Sequence, residues 1–169
     1  PTQATRAPSD PVFAPGADRQ REEGAVLGIS GHPGAAAITA LGLHALQQRG
    51  QEAAGIVSFD GKRFHSERRL GLVGDTFARR EVIDRLPGNT SIGHVRYSTT
   101  GETILRNVQQ LFAEIEGGGF AIGNNGNLTN GLTLRRERLH EGAMMQSTTD
   151  TEVILYLVAK SNRTRVIAR

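Results

Sequence analysis

Four stretches of the chain carry more polar specificity than a hydrophobic core needs. Arg96 sits where a strand-like run, residues 91–97, gives way to the hydroxyls of Ser98, Thr99 and Thr100. A planar guanidinium at such a strand end can hold a small carboxylate through two parallel hydrogen bonds. In Gly123-Asn124-Asn125-Gly126-Asn127-Leu128, the Asn125 amide and the Gly126 N–H can converge on one oxygen, because glycine permits close backbone approach. Asp150, at the start of a helical pattern, can accept hydrogen bonds from an ammonium group. The fourth stretch, Gln47-Gln48-Arg49-Gly50-Gln51-Glu52, clusters polar groups where the first helical pattern stops. Anchors for a carboxylate and an ammonium, with an oxyanion hole for an amide carbonyl, together describe glutamine.

Each stretch alone also has an ordinary structural reading. Arg96 fits a surface position on an edge strand, and Asn-Gly after a strand is a common turn. Residues 47–52 fit a polar helix end with Gly50 as its stop, and Asp150 fits a helix start. Only the conjunction points to an amino-acid ligand.

The elements that must position these residues follow from the apolar pattern. Residues 24–30 read as a short buried strand, and Gly31-His32-Pro33-Gly34 as a turn. Residues 35–48 read as a helix with Ile38, Leu41, Ala45 and Leu46 on one face. Residues 53–59 and 62–68 form a hairpin around Asp60-Gly61. A helix capped by Asp75 and ending at Leu86 precedes a strand over residues 90–97. A second hairpin, 111–116 with 120–123, surrounds Gly117-Gly118-Gly119. Residues 128–139 have helical spacing, and a last helix opens with Thr149 and Glu152 at capping-box separation. Hairpins outnumber crossovers, which predicts an α+β fold of antiparallel sheets covered by a few helices.

Composition narrows the function classes. A chain of 169 residues suffices for one real core, and 21 glycines imply many turns and close backbone approaches. The net charge is +3, the arginine pairs are scattered, and aromatics are only 5%, which argues against a nucleic-acid surface. No cysteine is present, so disulfides, thiolate metal sites and a thiol nucleophile are excluded from this chain. The five histidines are dispersed without ligand-like pairing, so we expect no metal site and read them as surface or locally satisfied groups. There is no apolar run of transmembrane length and no signal-peptide core, so no membrane partner is expected and a cytoplasmic location is the simplest. Residues 1–23 hold four of the six prolines and no periodicity, and read as a flexible leader before a domain over 24–169.

Gly50-Gln51-Glu52-Ala53-Ala54-Gly55-Ile56, Gly93-His94-Val95-Arg96-Tyr97-Ser98-Thr99, Asn125-Gly126-Asn127-Leu128-Thr129-Asn130 and Asp150-Thr151-Glu152 occur in one order and spacing. In this the chain resembles the N-terminal glutaminase domain, a class II glutamine amidotransferase, of the amidophosphoribosyltransferase family in purine synthesis. The resemblance covers residues 24–160 and implies the N-terminal-nucleophile hydrolase fold, a four-layer α/β/β/α sandwich. It implies that Arg96 binds the glutamine carboxylate, Asp150 its ammonium, and Asn125 with Gly126 the oxyanion. Arg49 and Tyr97 would support the nucleophile end of the pocket and Thr99 would line it. Ammonia would pass to a phosphoribosyltransferase domain absent from this chain, where magnesium and phosphoribosyl pyrophosphate belong. The full-length protein would form a homo-oligomer.

The departures fall on the site. The family's nucleophilic cysteine position is Gly24, and family histidines are replaced by Gln48 and Asn124. Gln110 stands where the family has proline. The leader resembles a propeptide removed by the missing thiol, so it is expected to stay attached. The resemblance therefore implies a glutaminase domain unable to perform the thiol chemistry, or a non-catalytic glutamine-binding or scaffolding module.

Overall fold

A computed structural model of the chain describes residues 24–96, 105–115 and 118–161. The leader, Tyr97, Thr99 and residues 162–169 lie outside the described residues. Four antiparallel strands form the first sheet: β1 (Ala25–Ser30), β2 (Ala53–Phe59), β3 (Phe64–Leu70) and β4 (Thr90–Arg96), in spatial order β1-β4-β2-β3. A second sheet pairs β5 (Leu111–Ile115) with β6 (Gly118–Ile122), also antiparallel. Helix α1 (Ala35–Ala45) covers the first sheet, packing on β4, β1 and β2. Two short helices, α2 (Val73–Thr76) and α3 (Arg80–Ile83), flank it. Helix α5 (Asp150–Ala159) packs on β5, and α4 (Gly131–His140) packs on α5.

The sheets face each other. The Phe64 and Phe112 rings lie 5.8 Å apart by centroid, and the buried Gln110 side chain donates to the Gly55 carbonyl at 3.1 Å. The result is the expected α/β/β/α layering. β2 is covered on both faces, which explains its nearly unbroken apolar run. Together with its neighbours it supplies the core: Leu43, Ile56, Val73, Phe77 and Val95 are all nearly inaccessible.

Several local expectations change. The inward face of α1 is Ala36, Thr39, Ala40 and Leu43, whereas Leu41 is 71% exposed. The helix sits close to β4, where a β-carbon on Gly93 would collide with Thr39 and Leu43, so small residues occupy the contact. Thr39 and Ser91 hydroxyls share a buried hydrogen bond of 2.7 Å there. The helix predicted from Asp75 to Leu86 is broken into α2 and α3. Val73 and Phe77 are one turn apart, as are Val82 and Leu86, but the step from Phe77 to Val82 is five residues. A continuous helix would turn the second pair away from the core the first pair enters. The helix predicted over 128–139 begins at Gly131, and its Leu132 and Leu139 face outward.

The capping box assigned to Thr149 and Glu152 is also replaced. Thr149 is the N-cap residue but makes no side-chain cap bond. Glu152 instead accepts from the backbone N–H groups of Gln146 and Ser147, at 2.6 and 2.9 Å, and from the Ser147 hydroxyl at 2.9 Å. The start of α5 is thus fixed by the residues before it, and that start carries Asp150.

Candidate functional site

Sheet register brings the first group of residues together. Ala25 pairs with Val95, and Ala53 pairs with Arg96, so the end of β4 lies between the starts of β1 and β2. The β1 register extended by one residue sets Gly24 beside Arg96. Gly24 is buried, and a β-carbon on it would run into the Val95 carbonyl oxygen and lie 3.2 Å from His94 Nε2. Gly50 is pressed on the same strand: its β-carbon would lie 2.8 Å from Val95 C and 2.9 Å from Arg96 N and C. At both positions the backbone of β4 occupies the space a side chain would take in this chain.

Arg96 ends β4 half-buried. Its Nη1 donates to the Asn107 carbonyl at 3.1 Å, while its Nε is buried without a hydrogen-bond partner among the described residues. No carboxylate among the described residues pairs with it, which leaves donor capacity for a ligand. His94, two residues earlier, was expected at the surface or locally satisfied. It is buried, its Nδ1 has no described partner, and burial together with the Arg96 charge pushes its pKa down to about 4. The imidazole is neutral near pH 7 for that reason.

The turn beside Gly50 is held by Gln47, which the sequence marks only as one member of a polar helix end. Helix α1 ends and Gln47–Arg49 continues as a 3-10 turn. There Gln47 donates to the Gly50 carbonyl and accepts from the Val73 N–H at 2.6 Å. This clamp explains why the helix predicted to residue 48 stops at Ala45. Arg49 points outward on the turn and is exposed.

The second group lies at the far end of the second sheet. Asn125 and Gly126 form an exposed turn after β6, spanned by Asn124, whose Nδ2 donates to the Gly126 carbonyl at 3.0 Å. Asp150 is the first residue of α5. Its Oδ2 accepts from the Leu128 N–H at 2.7 Å, and its other oxygen faces Gly131. The Asp150 carboxylate is therefore tied to the strand-to-helix loop that carries Asn125 and Gly126. Part of its acceptor capacity is already used as a loop anchor, and part remains.

What joins the two groups is the buried segment 107–110, which composition and periodicity did not mark. The Asn107 carbonyl receives Arg96, while its side-chain amide exchanges two hydrogen bonds with Thr148, at 3.0 and 3.1 Å, just before α5. Gln109 Oε1 accepts from the Asn124 N–H at 2.7 Å, and Gln110 reaches β2. The peptide between Gln109 and Gln110 is cis. Arg96, the Asn125 turn and the start of α5 all bind to this one stretch of chain. The only sequence signal there is Gln110, which stands where the family has proline.

A groove of about 760 Å³ lies elsewhere, between β3, β5 and α5, and is lined by Arg68, Phe112 and Tyr156 among others. It touches none of the described residues assigned to glutamine. Among the described residues no cluster of three acidic or histidine side chains is placed to hold a metal, and no helix is long and apolar enough to cross a membrane.

No family model matches the chain. It is 67% identical over 144 residues to an amidophosphoribosyltransferase of Rhizobium etli, a match covering 85% of this chain and 29% of the relative. It is 47% identical to an amidophosphoribosyltransferase of Lacticaseibacillus casei, over 82% of this chain and 72% of that protein. Among solved structures, glutamine phosphoribosylpyrophosphate amidotransferase from B. subtilis superposes with a TM-score of 0.77 at 38% identity, over 86% of this chain and 31% of that one. The chain thus spans under a third of the Rhizobium etli relative's length. With its four layers those of an N-terminal-nucleophile hydrolase and its sequence matched over most of its length, the chain belongs to the amidophosphoribosyltransferase family.

Proposed function

We propose that this chain recognises glutamine as an N-terminal amidotransferase domain does but does not hydrolyse it at an enzymatic rate. The observation that carries this reading is the position of Gly24. It stands beside Arg96, where the family's thiol would attack, with no side chain and with the Val95 carbonyl in the space of one. Hydrolysis in the family's manner needs a thiolate to bond the amide carbon, expel ammonia and leave a thioester for water to open. This chain has no cysteine to start that sequence. An oxyanion turn and a carboxylate anchor without a nucleophile retain binding and lose most of the rate.

Arg96 holds the α-carboxylate on this reading, and the free acceptor of Asp150 holds the α-ammonium. Asn125 and Gly126 face the amide oxygen, Thr99 lines the pocket, and Tyr97 with the exposed Arg49 stands at its nucleophile end. Phosphoribosyl transfer, with magnesium and phosphoribosyl pyrophosphate, falls to the remainder of a longer, oligomeric cytoplasmic protein. The leader, residues 1–23, stays attached because the thiol that would remove it is missing.

Calorimetry with L-glutamine, paired with an assay of glutamate release, tests this reading. Binding that disappears in Arg96→Ala, without glutamate release, supports it. Turnover of about 1 per second or faster refutes the loss of catalysis. Absence of binding refutes glutamine recognition and leaves a scaffolding domain. An intact mass lacking residues 1–23 contradicts the retained leader.

A further inference from the structure

We infer that Asn107 is a positioning residue that sets the spacing between the carboxylate anchor and the ammonium anchor. This rests on the glutamine reading above. Arg96 and Asp150 lie on different layers, one at the end of β4 and the other at the start of α5. Asn107 is 7% exposed and binds both sides at once. Its carbonyl takes the Arg96 Nη1 donor at 3.1 Å. Its side-chain amide donates to Thr148 Oγ1 at 3.0 Å and accepts from the Thr148 N–H at 3.1 Å, two residues before Asp150.

The two functions of Asn107 are chemically separable. The link to Arg96 uses a backbone carbonyl, which any residue supplies. The link to α5 uses the carboxamide, with donor and acceptor on one planar group. Replacing Asn107 by alanine cuts the second link and keeps the first. The carboxylate anchor then stays in place while the helix start bearing Asp150 loses its tether. An amino-acid ligand that spans both anchors is weakened, and a ligand that uses only the carboxylate anchor is not.

The test compares L-glutamine with glutaramate, its analogue lacking the α-amino group, by NMR titration of the full chain. The parent prefers glutamine. In Asn107→Ala that preference falls about tenfold, in line with two lost hydrogen bonds, while glutaramate affinity changes less than about twofold. Thr148→Val, at an exposed position that removes only the hydroxyl, lowers the preference about threefold, and Thr148→Ser restores it. Equal weakening of both ligands, or an unchanged preference, overturns the inference and leaves Asn107 a purely structural role. If the parent binds no glutamine, the glutamine reading fails first and this inference falls with it.

Discussion

Gly50→Ala isolates the packing on which the arrangement around Arg96 depends. The added β-carbon would sit 2.8 Å from Val95 C and 2.9 Å from the Arg96 backbone N and C. Ordinary contact needs about half an ångström more at each atom, and all three atoms belong to a strand paired on both sides. β4 cannot retreat without loosening its ladders to β1 and β2. Overpacking of this kind costs about 1–3 kcal/mol. Gly50 has an extended backbone with φ −168, so alanine adds no dihedral strain, and its lower unfolded-state entropy returns about 0.4–1 kcal/mol. The net expectation is a loss of about 1–2 kcal/mol, or a melting temperature lower by roughly 3–8 °C. Urea denaturation followed by circular dichroism measures it, with the midpoint falling and the slope unchanged. Gly28→Ala is the control, because its β-carbon would meet Ile92 at an ordinary 3.6 Å. Equal stability of Gly50→Ala and the parent, within about 0.5 kcal/mol, would refute the close-approach argument.

Three further expectations follow from named contacts. Gly24→Cys with residues 1–23 removed should not restore turnover, because the Val95 carbonyl occupies the β-carbon space and Gln48 and Asn124 replace the family's histidines; glutamate release near 1 per second would contradict this. His94 has a folded pKa of about 4, depressed from 6.5 by burial and by Arg96, so its contribution to stability is complete above pH 6.5 and is lost as pH falls toward 4. Between pH 7 and pH 4.5 the parent should therefore lose about 2–3 kcal/mol more than His94→Gln, and equal slopes in paired urea titrations would count against a buried neutral imidazole. Glu67, whose side chain is 10% exposed, takes Arg69 at 2.6 Å and Arg85 at 3.2 Å, both partners well solvated. Glu67→Gln should cost about 1 kcal/mol and reduce the salt dependence of stability, and a salt response identical to the parent's would show the triad to be incidental.

The parts of the fold legible in the sequence are those where burial leaves a periodic trace. The apolar run of β2 and the Asp60-Gly61 turn marked a hairpin, although its return strand runs over Phe64–Leu70 and not 62–68. Antiparallel sheets covered by helices are legible in the hairpins, whereas the four-layer stacking is implied by the family resemblance alone. Leucine spacing points to the wrong face of α1, where close approach to Gly93 favours alanine and threonine. Arg96, Asp150 and the Asn125 turn stand out in the sequence by their chemistry in combination. Asn107 and Gln109 carry no mark, and Gln110 stands out only as a replacement for proline, because amide side chains in an irregular segment look the same in sequence whether buried or solvated. Gln47 was hidden for the same reason, as one polar residue in a polar helix end. Whether an amide is a solvent contact or an internal clamp is decided by tertiary neighbours, and local sequence carries little of that information.

The central claim is that this chain binds glutamine through Arg96 and leaves its amide intact. NMR of the full chain with glutamine labelled with nitrogen-15 at the side-chain amide reports both halves in one sample. Saturation transfer detects binding, and the labelled amide signal follows hydrolysis. The account predicts transfer to glutamine that vanishes in Arg96→Ala, with an amide signal that persists through the experiment. Labelled ammonium accumulating at about 1 per second, or no saturation transfer in the parent, would contradict it.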